Sequence, residues 1–194
     1  QGFYYNSFYP RTENRNYNIV QVGKSIMHSL VSNGIGVVHD VSYHDTPSFS
    51  GSYKRSSETI DRNLEKFPSI KVILDIHRDS IDSGGKKIKP TFTFNGRKGA
   101  QIMILSGYDA DGSKGFPDWE YNLRFALKLQ KTAETLYPGI TRPLCFGNFR
   151  YNMYKTHAST LIEVGSEANT LAEAVYTGAL VGDALTKVLS TLAK

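Results

Sequence analysis

Two apolar stretches of the sequence lead into residues that can carry out acid–base or metal chemistry. Residues 72–79 read V-I-L-D-I-H-R-D, so His77 follows a run of mostly apolar, β-branched residues. Residues 161–166 read L-I-E-V-G-S, which places Glu163 inside an otherwise apolar run. A histidine can bind zinc, and a carboxylate can act as the base that takes a proton from a metal-bound water. Together the two stretches predict one ligand and the base of a zinc hydrolase.

Each of these residues also has a purely structural interpretation. His77 can end a core strand and find a hydrogen-bond partner there. Glu163 can form an ion pair with Arg78 or Arg150 and have no further role. Because an unpaired carboxylate in an apolar strand is costly, Glu163 must shift its pKa, pair with a cation or bind a metal. From the residues alone these alternatives stay open.

The segments that must position both residues alternate between helices and strands. The predicted helices cover residues 17–31, 53–66, 119–137 and 170–192, and the predicted strands cover 35–39, 71–77, 91–95, 101–106 and 160–164. Such alternation is typical of an α/β fold with a largely parallel central sheet flanked by helices. Strands that are apolar on both faces belong in the centre of that sheet, and their carboxyl ends form the rim that carries chemistry. With no repeat or linker, the sequence predicts a single domain over residues 1–194.

Composition indicates an ordinary folded protein. Of the 194 residues, 40% are hydrophobic and 21% are charged, so the chain is long and apolar enough to bury a proper core. No apolar run reaches the roughly 18 residues that span a bilayer, and the opening Q-G-F-Y-Y-N-S-F-Y-P lacks the features of a signal peptide. We therefore expect no targeting segment in this chain. The single Cys145 excludes an internal disulfide framework and is interpreted as buried filler.

The net charge of +5 and the pI near 9.2 favour a polyanionic environment such as nucleic acid, anionic lipid or an anionic cell-wall polymer. The basic residues are scattered, which argues against nucleic acid as a partner. Their densest cluster is Lys86, Lys87 and Lys89, beside two glycines in the segment 80–90. Because this segment directly follows His77, we expect it to form a mobile, basic rim of the cleft.

Several motifs, in order along the chain, resemble the stage II sporulation protein P family of zinc-dependent cell-wall amidases. The most specific are D-I-H-R-D-S (75–80) and L-I-E-V-G-S (161–166). The others are N-Y-N-I-V-Q-V-G (16–23), G-I-G-V-V-H-D (34–40), H-D-T-P-S-F-S-G-S-Y (44–53), N-L-R-F-A-L-K-L-Q (122–130), Y-P-G-I-T-R-P (137–143) and R-Y-N (150–152). The resemblance therefore covers nearly the whole chain.

This resemblance implies an amidase_3-like, zinc exopeptidase-like fold. It implies N-acetylmuramoyl-L-alanine amidase activity on peptidoglycan, together with endopeptidase cleavage in the stem-peptide crosslinks, during engulfment in endospore-forming bacteria. It also implies Zn²⁺ as the cofactor and sporulation protein D, a lytic transglycosylase, as a partner. The expected location is extracytoplasmic, between the forespore and mother-cell membranes, with a membrane anchor only in the full-length protein.

Residue by residue, the resemblance makes His77 a zinc ligand and Glu163 the catalytic glutamate. Glu13 precedes the first predicted helix, where related amidases carry a glutamate ligand, and it is the second candidate metal ligand. The family's H-T-H-x-x-E-S motif, which brings further ligands after a first strand, is missing from the sequence. We therefore expect a domain that lacks its first strand and its upstream metal-ligand motif.

The remaining candidates receive simpler interpretations. Glu58 is expected to be a solvated helix residue, although a ligand role is its alternative. His39 and His44 are interpreted as loop-ordering or substrate-groove residues. His28 is interpreted as a helix residue, and His157 as a loop residue near the site. The alternative function, from a different class, is a catalytically inactive basic module that binds the cell wall and docks a partner hydrolase.

Overall fold

The computed structural model describes residues 11–192, and the fold is built around one central sheet. In chain order the strands are β1 (Val72–Asp79), β2 (Asp82–Ser83), β3 (Lys86–Lys87), β4 (Thr91–Phe94), β5 (Arg97–Ala100), β6 (Ile102–Gly107), β7 (Cys145–Gly147) and β8 (Ala158–Ser166). The helices are α1 (Val20–Ser32), α2 (Ser52–Lys66), α3 (Trp119–Leu136) and α4 (Leu171–Leu192). Short 3₁₀ helices cover Arg15–Tyr17 and Met153–Lys155. None of the helices in this range is both long and apolar enough to cross a bilayer.

The central sheet has four strands in the order β1–β8–β6–β7. The pairs β1–β8 and β6–β7 are parallel, whereas β6 runs antiparallel to β8. The predicted α/β fold with a mostly parallel sheet is therefore confirmed. The predicted strand at 91–95 does not join this sheet, because β4 pairs with β5 in a separate hairpin.

The prediction of a strand over residues 35–39 is wrong. No strand is formed between α1 and α2, since residues 35–39 pair with no other strand within residues 11–192. A cavity of about 770 Å³ is lined both by residues 38–45 and by residues 72–78 of β1. Consequently β1 is an edge strand, half-buried along its whole length, although its apolar sequence is that of a central strand.

One face of the sheet carries the main hydrophobic core. In β8, Ile162 and Val164 point to this face, and they pack with Ile102 and Ile104 of β6. The helices α1, α3 and α4 cover it, and the core residues that they contribute include Val22, Ile26, Leu30, Phe125, Leu129, Val181, Leu185 and Val188. Because successive strand residues face opposite ways, Leu161 and Glu163 must lie on the other face.

The opposite face carries a smaller apolar cluster of Leu105, Phe116, Met153 and Leu161. The buried Asn122 of α3 anchors the segment that covers it. Its Nδ2 atom donates to the carbonyl oxygens of Met153 (2.8 Å), Thr156 (3.0 Å) and Ser159 (2.8 Å). The segment leading into β8 is thereby held against the start of α3.

Gly182 of α4 lies in close contact with α1, which predicts a site that is sensitive to a larger side chain. A Cβ atom at this position would lie 2.6 Å from Ser29 Cβ and 2.8 Å from the carbonyl oxygen of Ile26 in α1. We expect Gly182→Ala to lower the free energy of unfolding by about 1–3 kcal/mol through overpacking, even though alanine favours a helix. Urea denaturation measures this change.

The matched control is Gly36→Ala, because a Cβ atom at Gly36 would meet nothing within 4 Å. It should change the unfolding free energy by no more than about 0.5 kcal/mol. A Gly182→Ala protein as stable as the parent would show that α1 and α4 can separate at no cost.

Candidate active site

The parallel pairing of β1 with β8 places His77 directly opposite Glu163. Residues that lie opposite each other on adjacent strands share a face of the sheet, so both side chains project from the same side. The two strands that carry His77 and Glu163 are therefore neighbours in the central sheet. The pairing shifts register after His77, at Gly165, whose φ of +68° lies in the left-handed region that favours glycine.

Asp75 joins this pair on the same face, two residues before His77 in β1. Its Oδ1 atom lies 2.9 Å from Nε2 of His77, so the carboxylate orients the imidazole ring. The structure thus adds a residue that the sequence interpretation missed. The two-residue spacing in a predicted strand was the available signal, because residues i and i+2 of a strand point the same way.

The carboxyl group of Glu163 is mostly buried and keeps a high affinity for its proton. Burial raises its pKa to about 7, with the charges of Asp79 and Asp75 acting in the same direction, while His77 and Arg142 act against them. Its Oε2 atom has no hydrogen-bond partner within the described part of the chain. A carboxyl group with a pKa near neutrality can both accept and return a proton at physiological pH.

The imidazole of His77 is held in an acidic environment. Burial alone would lower its pKa, but the hydrogen bond that His77 donates to Asp75 and the charges of Asp75 and Glu163 outweigh burial, so the pKa of His77 is raised. His77 is therefore a more basic group than an isolated histidine. Its ring nitrogen Nε2 is committed to Asp75.

Arg142 approaches the pair from a distant part of the sequence. Its backbone N–H donates to the carbonyl oxygen of Ile102 at 2.7 Å, and its Nη1 atom lies 2.9 Å from Oδ2 of Asp79 at the end of β1. The guanidinium group is close enough to Glu163 to oppose the rise in that residue's pKa. The local sequence does not predict that Arg142 lies near Glu163, because this position depends on how residues 137–142 pack against β6 after α3.

An aromatic column borders the same face. The ring of Tyr53, at the start of α2, stacks on Tyr151 with centroids 5.0 Å apart, and Tyr151 contacts Phe149 at 5.1 Å. Tyr53 also lines the cavity to which Asp75 and His77 contribute. The column therefore connects α2 to the loop before β8, next to the charged pair.

The expected mobile basic rim after His77 differs from the observed structure. Strands β2 and β3 form a hairpin that ion pairs attach to the end of β8 and the start of α4. Lys87 Nζ lies 2.9 Å from Glu167, and Lys89 Nζ lies 2.8 Å from Glu173. Ser80 Oγ donates to Glu167 as well, at 2.7 Å. Two of the three lysines are therefore neutralised by internal carboxylates.

Glu13, the second sequence-predicted ligand, pairs with a cation in this structure. Its Oε1 atom lies 3.0 Å from Nη1 of Arg11, and its side chain is 65% exposed. Across residues 11–192, no group of three histidine, cysteine, aspartate or glutamate side chains is arranged to hold a metal ion. A catalytic zinc ion normally takes three protein ligands, so these residues do not by themselves form a complete zinc site.

The remaining histidines are distributed as follows. His39 packs against Gly23, where a Cβ atom would lie 2.5 Å from its Nε2 atom, and burial lowers its pKa. His44 Nε2 lies 3.1 Å from Thr59 Oγ1, which agrees with its predicted loop-ordering role. His28 is exposed on α1 as expected, and Glu58 is exposed on α2.

The placement of His157 near the site was wrong. It precedes the first residue of β8 and stacks on Tyr121 with centroids 4.7 Å apart. Its Nε2 atom lies 3.3 Å from Asp118. Six positions along an extended chain, or roughly 20 Å, separate it from Glu163. His157 is close to Glu163 in the sequence, which suggested that it lies near the site. Because β8 is extended between them, the two residues lie far apart.

Comparison with known sequences identifies the family of this chain. The sequence profile of Stage II sporulation protein P (SpoIIP) matches residues 4–186. This chain belongs to the stage II sporulation protein P family. A curated member, Stage II sporulation protein P of Bacillus subtilis (strain 168), is 28% identical over 169 residues. That alignment covers 80% of this chain but only 39% of the relative, so the chain spans about two fifths of the relative's length.

Solved structures support the fold of this family member. The N-acetylmuramoyl-L-alanine amidase AmiC2 of Nostoc punctiforme superposes with a TM-score of 0.53 at 14% identity, over 91% of this chain and 83% of its own. The CwlD amidase from Clostridioides difficile, solved in complex with the GerS lipoprotein, gives a TM-score of 0.55 at 10% identity, over 89% and 84% of the two chains. The likeness shows that this chain has the amidase fold.

The raised pKa of Glu163 predicts a pH-dependent stability. In the unfolded chain this group ionises near its ordinary value of 4.5, and in the folded chain near 7. The contribution of Glu163 to the stability of the folded state is therefore fully present below about pH 4.5 and is lost as pH rises to about 7. Glu163→Gln should remove up to about 3 kcal/mol of this loss. Urea unfolding at pH 4.5 and pH 8 measures it, and an equal pH dependence in both proteins would contradict the burial of an unpaired carboxyl.

The incomplete ligand set predicts the metal content. We expect the purified 194-residue chain, dialysed against buffer without chelator, to retain well below one zinc ion per chain, because His77 and an ion-paired Glu13 are too few ligands. Elemental analysis measures the ratio. Retention of one zinc ion that His77→Ala abolishes would show that further ligands reach the site.

Proposed function

We propose that this chain is the catalytic domain of a sporulation peptidoglycan hydrolase that cleaves the amide bond between the glycan lactyl group and L-alanine. One observation carries the proposal: Glu163 lies half-buried beside His77, with a pKa of about 7 and a buried Oε2 atom that has no hydrogen-bond partner within residues 11–192. A strand that served only to bind a polymer would gain nothing from a buried, unpaired carboxyl group. Family membership and the amidase fold point to the same chemistry.

The proton transfers follow from the position of Glu163. Ionised Glu163 accepts a proton from the water that attacks the amide carbonyl carbon. When the carbon–nitrogen bond breaks, the protonated carboxyl group returns this proton to the leaving amine. A pKa near 7 suits both steps, because the carboxyl group is then present in both its ionised and its protonated form at neutral pH. Asp75 contributes by holding the imidazole of His77 in a fixed orientation.

We further propose that zinc dependence belongs to a longer protein in which other donors join His77. The described residues form no complete zinc site, so the steps above assign no role to the metal. The cavity beside β1 supports this proposal. It lies along the edge of β1 that pairs with no strand within residues 11–192, and its volume of about 770 Å³ suits an extended segment of several residues.

The cellular setting is proposed from the family relationship. We infer action on peptidoglycan during engulfment, between the forespore and mother-cell membranes, with a membrane anchor in the full-length protein and sporulation protein D as a partner. We also infer endopeptidase cleavage in the stem-peptide crosslinks as a second activity. Family membership supports these inferences. The CwlD amidase, a structural neighbour, was itself solved in complex with another protein.

The test of catalysis is a pair of variants in the longest form of the protein that hydrolyses purified cell walls. Glu163→Gln keeps the size of the side chain but removes the base, and it should lower hydrolysis by about 10²- to 10⁴-fold without weakening wall binding. The matched control is Glu120→Gln, because Glu120 is an exposed α3 residue paired only with Arg124. Dye release from labelled walls and sedimentation with walls measure the two properties.

The same assay decides between the two candidate functions. Wall binding without hydrolysis in the parent protein would favour the non-catalytic module that docks a partner hydrolase. Hydrolysis that Glu163→Gln leaves unchanged would overturn the assignment of the base. Hydrolysis that continues in excess chelator would overturn the proposed zinc dependence.

A further inference from the structure

The hydroxyl group of Tyr53 is an unused hydrogen-bond donor at the mouth of the site. Tyr53 lines the same cavity as Asp75 and His77, and its side chain is 38% exposed. Its hydroxyl makes no hydrogen bond to any of the residues 11–192. By contrast, the hydroxyl of Tyr154 lies 3.3 Å from Oγ of Ser57, another residue of α2. The Tyr53 hydroxyl is therefore available to a ligand.

The ring of Tyr53 is held in place by an aromatic residue from a distant part of the sequence. Tyr151 stacks on it at 5.0 Å with an interplanar angle of 25°, and Tyr151 itself has a φ of +42°, an uncommon conformation for a bulky residue. Phe149 supports Tyr151 and packs against Gly147, where a Cβ atom would lie only 2.5 Å from the Phe149 ring. Backbone strain of this kind clusters at functional sites, where surrounding packing maintains it.

The charges around Tyr53 restrict what it can bind. Partial burial raises the pKa of Tyr53 to about 12, and the nearby charges of Asp75, Tyr151 and Glu163 add to this effect. The phenol is thus a proton donor throughout the physiological range. Two carboxylates close by repel an anionic ligand, whereas a neutral amide carbonyl oxygen meets no such repulsion. The favoured acceptor is therefore a peptide carbonyl.

We propose that Tyr53 is a substrate-binding residue whose hydroxyl donates a hydrogen bond to an amide carbonyl oxygen of the stem peptide, beside Glu163. This inference rests on the proposed function, because it names how the same site holds its substrate. The stacked ring of Tyr151 serves to fix the direction of that donor. Tyr53→Phe removes the hydroxyl but keeps the ring and its stacking contact.

The test measures binding separately from hydrolysis. In the Glu163→Gln background, calorimetry gives the affinity for a soluble N-acetylmuramoyl-tripeptide that is no longer cleaved. Adding Tyr53→Phe should weaken this binding by about 3- to 10-fold, the usual effect of losing one hydrogen bond. Adding Tyr154→Phe should leave it unchanged, because the Tyr154 hydroxyl is already bonded to Ser57. In the active protein, Tyr53→Phe should raise KM more than it lowers kcat.

The possible outcomes separate this inference from the proposed function. If the Glu163→Gln protein binds the muropeptide and Tyr53→Phe binds it equally well, Tyr53 does not bind the substrate and only this inference fails. If Tyr53→Phe and Tyr154→Phe weaken binding alike, the effect comes from the general aromatic packing and the inference again fails. If the Glu163→Gln protein binds no muropeptide, the proposed substrate fails and this inference fails with it.

Discussion

The in-register parallel pairing of β1 with β8 is the constraint on which the site depends. It sets His77 opposite Glu163 and Asp75 opposite Leu161 on one face of the sheet. A slip of one residue would turn Glu163 toward the apolar core and bring Ile162 to the site face. The core prevents such a slip, because Ile162 and Val164 are fully buried against the helices. Hydrophobic packing on one face thus determines the chemistry of the other.

The two faces of the sheet have different physical roles. Three helices cover the first face and form a large, dry core that holds the strands in place. The second face has a smaller apolar cluster, an aromatic column and a group of charged residues. Burial of Glu163 on this face lowers the stability of the fold at neutral pH, since its pKa is raised to about 7. A protein keeps such a costly group where function requires it.

Internal ion pairs determine where the net positive charge of the chain is available. Lys87 and Lys89 are matched to Glu167 and Glu173, and Arg142 is matched to Asp79. These pairs attach the β2–β3 hairpin and the 137–142 segment to the ends of β1 and β8. The charged side chains near the site are therefore engaged in ion pairs that stabilise the fold. The formal net charge of +5 belongs to the chain as a whole and is not concentrated on the 80–90 segment.

The sequence by itself determined the α/β class, most of the helices and central strands, and the two strands that carry His77 and Glu163. Local patterns were sufficient there, because apolar periodicity depends on neighbouring residues and because D-I-H-R-D and L-I-E-V-G are specific motifs. Asp75 was also within reach, since strand alternation places it beside His77. The strand predicted at 35–39 failed because a strand exists only when a partner backbone binds it, and sequence alone does not supply that partner.

Only the tertiary structure decided the surroundings of the pair. Arg142 reaches Asp79 from 63 positions further along the chain, and Tyr53 and Tyr151 stack although they are 98 positions apart. Two of the three lysines in the segment 80–90 are ion-paired, and His157 lies next to the first residue of β8, away from Glu163. The physical reason is the same in each case: contacts and burial between distant segments depend on chain direction and packing, which a one-dimensional pattern does not contain.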